Sequence, residues 1–186
     1  MTQQELYESL NYVNHSRQKR AEMSALVLSN PALVKPLLDI AFEVDDPISN
    51  RACWVMEFTA KENLDYIYPY LDIFTFNLGK IRFDSSVRPM AKICEFLVMA
   101  YFSETSNNAK KAINENHLEA IVTACFDWLI GEQKVAAKAY SMTCLLLLGR
   151  KYDWIHPELK MILEQNYAQG SAAYKARARM TLAKLK

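Results

Sequence analysis

Two short segments of this chain resemble each other, and their spacing limits the folds that it can adopt. The segment P-L-L-D-I-A at 36–41 recurs 33 positions later as P-Y-L-D-I-F at 69–74, and a looser copy, P-E-L-K-M-I, lies at 157–162. The apolar residues in these segments recur at helical rather than strand spacing. A helical unit repeated at this interval is typical of folds in which pairs of helices stack on one another.

A second pattern follows these segments, in which an apolar residue stands four positions before an alanine. The pairs are Ile48 with Ala52, Val87 with Ala91, Val135 with Ala139, and Tyr174 with Ala178. A small alanine lets two helix axes approach closely at a fixed crossing point. Pro36 and Pro69 are expected to lie inside the other helix type and to bend it. The sequence therefore predicts alternating proline-bearing and alanine-bearing helices.

The rest of the chain also favours helices, and no segment shows the sustained alternation expected of a strand. Ten helices are predicted, near residues 3–13, 16–29, 31–44, 47–61, 63–76, 85–103, 109–130, 132–149, 156–168 and 171–185. Gly79, Gly131, Gly149 and Gly170 each stand where an apolar helical pattern ends, which predicts caps in the left-handed conformation. We therefore expect an all-α chain that forms a single domain over 1–186.

The best-preserved copy of the second pattern resembles a known helical repeat. D-S-S-V-R-P-M-A at 84–91 is similar to the start of the second helix of the HEAT repeat, D-x-x-V-R-x-x-A or a near variant. Arg51 is displaced toward the alanine in its copy, and Ala136 and Lys175 replace the arginine in the later copies. The resemblance to HEAT-like and armadillo-like repeats implies a right-handed α-α superhelix, a short solenoid of about five antiparallel hairpins. It implies no particular activity, because this fold family has many functions.

Charge is distributed unevenly between the two helix types. The formal net charge is only +1, which gives no overall attraction to nucleic acid or anionic lipid. However, the proline-bearing helices are net negative and the alanine-bearing helices are net positive. In HEAT-like proteins the second helix of each hairpin lines the concave side, so the resemblance implies a basic inner surface that a partner would bind. The candidate binding residues are Arg51, Arg88, Lys92, Lys138, Tyr140, Lys175, Arg177 and Arg179.

Helical geometry divides these candidates between two flanks of the buried face. One flank carries Arg88 with Lys92, Ala136 with Tyr140, and Lys175 with Arg179, whereas Arg51, Lys138 and Arg177 project from the other. An alternative interpretation remains open, in which these side chains are solvated and Arg51 and Arg88 pair with acidic residues of adjacent turns.

No known catalytic or metal-binding pattern occurs in the sequence. The G-x-S-x-G, P-loop, G-x-G-x-x-G and H-E-x-x-H motifs are all absent. The histidines, His15, His117 and His156, stand near predicted helix starts, which favours surface or capping roles. The cysteines, Cys53, Cys94, Cys125 and Cys144, lie within apolar helical stretches without metal-ligand spacing and are predicted to be buried thiols. We therefore predict no catalytic residue, metal or cofactor.

Two functions remain from these observations. The leading hypothesis is a non-enzymatic interaction module, a helical-repeat scaffold that binds a protein partner. The alternative is nucleic-acid binding through the basic face, with or without base-excision activity, as in the HEAT-like alkylpurine DNA glycosylases, which also use aromatic residues. Trp54 stands on a helix that otherwise has the pattern of a core helix, whereas Trp128 and Trp154 fall on or near the outer layer. A polar, acidic start and the lack of an apolar run of membrane-spanning length predict a cytoplasmic protein without a membrane segment.

Overall fold

The computed structural model describes residues 1–81 and 83–185, and the regular elements within these ranges are all helices. The α-helices are α1 (Gln3–Ser9), α2 (Arg17–Ser29), α3 (Val34–Ala41), α4 (Ser49–Glu62), α5 (Leu71–Asn77), α6 (Asp84–Tyr101), α7 (Ala109–Ala112), α8 (Glu115–Ile130), α9 (Val135–Leu148), α10 (Ile155–Tyr167) and α11 (Ala172–Leu182). Short 3₁₀ helices lie at Leu10–Tyr12, Pro31–Leu33, Leu64–Tyr66, Tyr68–Tyr70 and Leu78–Lys80. The prediction of an all-α fold is confirmed.

Five of these helices form a row in which each helix contacts the next. The central row consists of α2, α4, α6, α9 and α11. The other helices pack beside it: α3 lies against α4, α8 against α9, and α10 against both α9 and α11. A cluster of buried apolar side chains extends through these contacts from Leu6 to Ala178. The central row therefore places side chains from distant parts of the sequence on adjacent helices.

The alanines mark the buried faces of the central row at three of the four predicted positions. Ala52, Ala91 and Ala178 are fully buried. In α9, however, Ala137 is fully buried and Ala139 is only partly buried, so the predicted register is wrong by two residues. The sequence V-A-A-K-A-Y-S-M-T-C-L-L-L-L is apolar on almost every side, and its spacing therefore does not single out one face.

The prolines lie close to the starts of α-helices, beside or within 3₁₀ helices, and not inside one long helix as predicted. Pro36 is the third residue of α3, and Pro69 lies in the short 3₁₀ helix at 68–70. The N–H groups of a first helical turn have no acceptor within the helix, so proline removes no hydrogen bond there. The proline inside a helix is Pro89, which is buried in α6. As a result, the predicted helix at 63–76 is two 3₁₀ helices followed by α5.

The predicted helix at 109–130 is also two helices, α7 and α8, because Asn114 caps the second one. Its Oδ1 accepts a hydrogen bond from the His117 N–H at 3.0 Å, and His117 Nδ1 accepts one from the Asn114 N–H at 3.2 Å. Since Nδ1 is an acceptor, Nε2 carries the ring proton and donates to Asp72 Oδ1 at 2.6 Å. His117 is therefore a capping residue, as predicted, and it also connects α8 to α5.

The glycines do not adopt the left-handed conformation predicted for them, since the described glycines all have negative φ. Two of them instead allow a ring to pack against the backbone. A Cβ at Gly149 would lie 1.9 Å from Cδ2 of His156, and a Cβ at Gly170 would lie 2.3 Å from Cδ1 of Tyr174. Ordinary contacts of a Cβ are longer than 3.4 Å. Close packing therefore explains the glycines at these two positions.

The cysteines are buried, as predicted, and none of them forms a disulfide among the described residues. Cys53 Sγ donates to the carbonyl oxygen of Ala41 at 3.6 Å. Burial raises the pKa of the Cys53 thiol to about 12. Burial also raises the pKa values of Cys94 and Cys144. These thiols are therefore protonated at neutral pH and serve as small apolar side chains.

Candidate binding surface on the central row

An arginine and a glutamate connect the second and third helices of the central row. Arg88 of α6 donates from Nη1 and Nη2 to the two carboxylate oxygens of Glu57 in α4, at 3.0 and 2.6 Å. The Arg88 side chain is 32% exposed and that of Glu57 is 12% exposed. Bidentate geometry and partial burial make this a strong ion pair. Arg88 is thus committed to a contact between helices, as the alternative interpretation of the sequence expects.

Lys92 extends this series from α6 to α9. Its Nζ lies 2.5 Å from Glu95 Oε2 and over two rings, 4.6 Å from the centre of Tyr140 and 4.8 Å from the centre of Phe96. A cation over an aromatic face is attracted by the ring quadrupole. Tyr140 and Lys92, two of the predicted binding residues, therefore contact each other directly.

Arg177 continues the series onto α11. Its Nη2 donates to Oγ1 of Thr143 in α9 and lies 3.8 Å from Oε1 of Glu95 in α6. Glu95 is almost completely buried, and it is shared by Lys92 and Arg177. The structure therefore brings together four predicted residues in one surface, which we call the ion-pair stripe. Its members are Glu57, Arg88, Lys92, Glu95, Tyr140 and Arg177.

The other four predicted residues lie elsewhere. Arg51 donates to the Asn11 carbonyl at 3.0 Å, after the end of α1. Arg179 lines a groove against α10, and Lys138 lines a pocket at the start of α9. Lys175 is partly exposed, and its side chain forms no hydrogen bond or ion pair within the described residues.

The predicted division between flanks is therefore wrong on α11, where Arg177 rather than Arg179 reaches the stripe. Both residues border a face formed by Tyr174, Ala178 and Thr181, which are buried. Helical spacing defines this face and its two flanks, but it does not say which flank adjoins α9.

A cleft opens along the central row, between α2 and the start of α9, next to the ion-pair stripe. Its volume is about 430 Å³, and its lining includes His15, Arg20, Trp54, Ser85, Arg88 and Lys134. Trp54 forms one wall, because its Nε1–H donates to the Ser85 carbonyl at 2.9 Å. The His15 ring is tilted against it, with the centroids 5.0 Å apart. We call this feature the Trp54 cleft.

Arg20 supplies a positive charge to the Trp54 cleft. Its Nε and Nη2 donate to the carbonyl oxygens of Ser16 and His15, at 3.2 and 2.9 Å. The guanidinium lies 5.0 Å from the centre of the Phe58 ring. No carboxylate in residues 1–81 or 83–185 forms an ion pair with it. Burial and then the charge of Arg88 lower the pKa of Arg20 more than the charge of Glu57 raises it, so a further negative charge from a ligand would be favourable here.

The acidic residue beside the cleft is already engaged. Asp84 accepts from the Lys134 backbone N–H at 3.0 Å, and its second oxygen lies 3.3 Å from Lys134 Nζ. Arg20 is therefore the arginine or lysine of the cleft that forms no ion pair with a described carboxylate. Sequence reasoning missed Arg20, although it stands three and four positions before Met23 and Ser24, which are buried in α2. That spacing places it beside the face that packs on α4.

The described residues contain neither a metal-binding cluster nor a single helix that could span a membrane. Within residues 1–81 and 83–185, no group of three or more His, Cys, Asp or Glu side chains is arranged to hold a metal ion. In the same ranges, no single helix is long and apolar enough to cross a membrane, and the one pair that reaches this length together, at 17–29 and 31–41, is bent by 112°. Comparisons of the chain with protein-family models, curated proteins and solved structures find no match.

Proposed function

We propose that this chain is a non-enzymatic scaffold that binds an acidic segment of a protein partner. We further propose that it is a short HEAT-like solenoid, a right-handed α-α superhelix of about five antiparallel hairpins. The central row supports this architecture, since each of its helices contacts the next, while α3, α8 and α10 pack beside it. In a solenoid, each repeat contacts its immediate neighbours.

The spacing of hydrogen bonds also supports the repeat. Among the described residues, side-chain hydrogen bonds that join positions more than 12 apart in sequence all span 31 to 50 positions. Such spans are expected when a hairpin bonds only to the next one. The ion pair between Arg177 and Glu95 has a longer span, because it passes across α9.

The observation that carries the binding proposal is the Arg20 guanidinium in the Trp54 cleft. It forms no ion pair with a carboxylate among the described residues, the charge of Glu57 acts on it only at longer range, and aromatic rings lie beside it. A carboxylate from a bound peptide would form a charge-assisted hydrogen bond with Arg20, worth about 1.5–3 kcal/mol. An apolar neighbour in the same peptide would pack on Trp54, as aromatic residues do in many interfaces.

The distribution of carboxylates favours a peptide over a nucleic acid. Glu57 and Glu95 alternate with the cations of the ion-pair stripe, and Asp84 lies at the Trp54 cleft. A phosphate backbone carries a negative charge at every nucleotide, so it would meet these carboxylates as well as the cations. A peptide can place a single acidic residue at Arg20 and neutral residues elsewhere. The indole N–H of Trp54 already donates to the Ser85 carbonyl, so it is not available to bind a phosphate or a base.

Fluorescence anisotropy tests this proposal. The probes are labelled peptides with Asp or Glu next to Leu or Phe, a neutral peptide with Gln in place of the acid, and single- and double-stranded DNA, at about 50 and about 200 mM salt. We expect binding of the acidic peptides and about tenfold weaker binding to Arg20→Gln, which corresponds to about 1.4 kcal/mol. Arg17→Gln is the matched control, because Arg17 is an exposed arginine of the same helix.

Three results would refute the proposal. They are equal affinity for the acidic and neutral peptides, equal losses in Arg20→Gln and Arg17→Gln, or no binding of either peptide at low salt. Tight, salt-sensitive binding of DNA without binding of the acidic peptides would assign the surface to nucleic acid instead.

A further inference from the structure

Another cleft lies beside the central row, between α8 and the turn that connects α9 to α10. Its volume is about 390 Å³. Its lining includes Glu119, Val122, Phe126 and Asp127 of α8 and Tyr152 and Trp154 of the turn. We call it the α8 cleft. Its size suits a small ligand or a single side chain, because sites for drug-sized ligands are usually about 300–1,000 Å³.

The α8 cleft follows one exposed face of its helix. Positions 119, 122, 123, 126 and 127 are three or four residues apart, so they lie on the same side of α8. The opposite side, which includes Ile121, Cys125 and Trp128, is buried. The ring of Phe126 therefore reaches the surface on the side of α8 that forms the cleft.

Two stacked rings form the apolar wall of the α8 cleft. The ring centroids of Phe126 and Trp154 are 5.6 Å apart, and the angle between the ring planes is 21°. Trp154 is nevertheless 57% exposed. Since Phe126 covers one side of the indole, the exposed area lies on its other side and at its edges. So much open surface is unusual for a tryptophan, because this residue is highly buried on average.

Tyr152 adds a third ring, and Glu115 holds it in place. The Tyr152 hydroxyl donates to Glu115 Oε1 at 2.7 Å, and Lys151 Nζ lies 3.0 Å from Glu115 Oε2. The same Nζ lies 5.6 Å from the centre of the Tyr152 ring. One ring of the cleft thus already attracts a cation, but this lysine is paired with Glu115 and does not line the cleft.

Two carboxylates of the α8 cleft have no cationic partner. The side chains of Glu119 and Asp127 form no hydrogen bond or ion pair with the described residues. They stand about 12 Å apart along the helix axis, one toward each end of the cleft. Burial and the Glu115 hydrogen bond raise the pKa of Tyr152, and the charge of Glu119 raises it further. No Lys, Arg or His occurs among the described residues that line the cleft. The cleft therefore combines an aromatic wall with unpaired negative charge.

These features select the chemistry of a ligand. An anion would be repelled by the two carboxylates, and a neutral apolar molecule would gain nothing from their charge. An ordinary lysine ammonium is compact and strongly hydrated, which favours water over a ring. A quaternary ammonium group instead presents methyl groups, so it packs against rings while their quadrupoles attract its charge. Groups of aromatic side chains bind choline and methylated lysine in this way.

We propose that the α8 cleft binds a quaternary ammonium group, the chemistry that choline and trimethylated lysine share. The open side of Trp154 and the rings of Phe126 and Tyr152 contact the methyl groups. Glu119 and Asp127 balance the positive charge. The α8 cleft shares no lining residue with the Trp54 cleft, so this site does not depend on the proposed binding of an acidic peptide.

Two-dimensional NMR and tryptophan fluorescence test this site at constant ionic strength. The cationic probes are tetramethylammonium, choline and a short peptide with a trimethylated lysine. The neutral control is 3,3-dimethyl-1-butanol, which has the shape of choline with carbon in place of nitrogen. We expect at least one cation to shift the indole N–H signal of Trp154 in a saturable way. Choline should bind at least about fivefold more tightly than the neutral control.

The relative affinities identify the source of the ammonium group. Tighter binding of the peptide than of choline supports a protein side chain, and tighter binding of choline supports a free metabolite. Equal binding of all three cations supports recognition of the ammonium group alone. The absence of a saturable shift with all three overturns the proposal, as does equal affinity for choline and the neutral control.

Variants separate the two parts of the site. Trp154→Ala should weaken choline binding at least about fivefold, and Trp154→Phe should weaken it less, since it keeps a ring. The control Phe76→Ala removes an aromatic side chain of α5 that is 73% exposed, and it should bind as the parent does. Glu119→Gln combined with Asp127→Asn should weaken binding of choline several-fold but not that of 3,3-dimethyl-1-butanol. Glu62→Gln, at an exposed carboxylate of α4, is its control. Unchanged choline binding in Trp154→Ala or in the double variant overturns the proposal.

Discussion

Replacement of Gly149 by alanine sets two opposing effects against each other, and the structure predicts which is larger. The backbone at Gly149 has φ −64° and ψ −11°, which any L-residue adopts. On this ground alone, alanine should stabilise the protein by about 0.4–1 kcal/mol, because it reduces the freedom of the unfolded chain. The new Cβ, however, would lie 1.9 Å from Cδ2 and 2.2 Å from Nε2 of His156.

The His156 ring must therefore move, and its movement breaks a hydrogen bond. The Nε2–H donates to the Leu146 carbonyl at 2.9 Å, near the end of α9. The loss of such a bond, with the carbonyl left unpaired, costs about 1–3 kcal/mol. The cost of losing the His156 hydrogen bond exceeds the gain from a less flexible unfolded chain. We therefore expect Gly149→Ala to lower the free energy of unfolding by roughly 1–2 kcal/mol. For a chain of this length, that lowers the melting temperature by about 2–8 °C.

A double-mutant cycle measured by urea unfolding and calorimetry tests this reasoning. In a His156→Ala background the obstacle is gone, so Gly149→Ala should stabilise the protein by about 0.4–1 kcal/mol. Gly79→Ala is the control, because no atom lies within 4 Å of a Cβ built at Gly79. It should be neutral or stabilising in both backgrounds. A stabilising effect of Gly149→Ala in the parent protein, or an equal effect with and without His156, would refute the argument.

Three further predictions concern other contacts. Glu57→Gln and Arg88→Met should each lower the free energy of unfolding by about 1–3 kcal/mol, while the double variant should lose less than the sum, as a urea double-mutant cycle would show. Since burial raises the pKa of Cys53 from its ordinary value of 9.0 to about 12, the unfolded chain loses this proton first as the pH rises. Cys53 should therefore lower the free energy of unfolding above pH 9.0 by up to about 1.4 kcal/mol per pH unit, and this contribution should be lost in Cys53→Ala. Asn114→Ala should cost about 1 kcal/mol in urea unfolding, because α8 loses its cap; an unchanged midpoint would contradict this role.

The fold class followed from the sequence, but the ends of several helices did not. Apolar spacing and the lack of strand patterns were enough to predict an all-α chain. The break between α7 and α8 was missed, because Asn114 and His117 form the reciprocal cap that is usually recognised as Ser or Thr with Glu or Gln. The left-handed caps were wrong for a related reason. Glycine at a helix end indicates either a special backbone conformation or a close neighbour, and His156 and Tyr174 were not visible as neighbours in the sequence.

The candidate surface was predictable only within single helices. The motif at 84–91 identified Arg88, and helical spacing placed Lys92 on the same side. Their partners come from other helices: Glu57 stands 31 positions before Arg88, and Tyr140 lies on α9. Such pairings depend on the rotation of each helix about its axis. That rotation is determined by packing and is poorly defined by an evenly apolar helix such as α9.

The arginines that recur with the repeat are bound to neighbouring parts of the chain. Arg88 stands at the position of the repeat motif, and it is bound to Glu57. Arg51 is bound to the backbone at Asn11, and Arg177 to Thr143 and Glu95. A residue that recurs with the repeat meets the same neighbouring helix in each unit, so it is well placed to hold the units together.

Arg20 lies outside this pattern. It does not occupy the motif position, and it forms no ion pair with a carboxylate among the described residues, although the charge of Glu57 acts on it. It lies on α2, the first helix of the central row, and lines the Trp54 cleft. Arg20 is therefore a better candidate for ligand binding than Arg88, which joins two helices of the row through Glu57. Substitution of Arg88 should mainly lower stability, whereas substitution of Arg20 should mainly lower affinity.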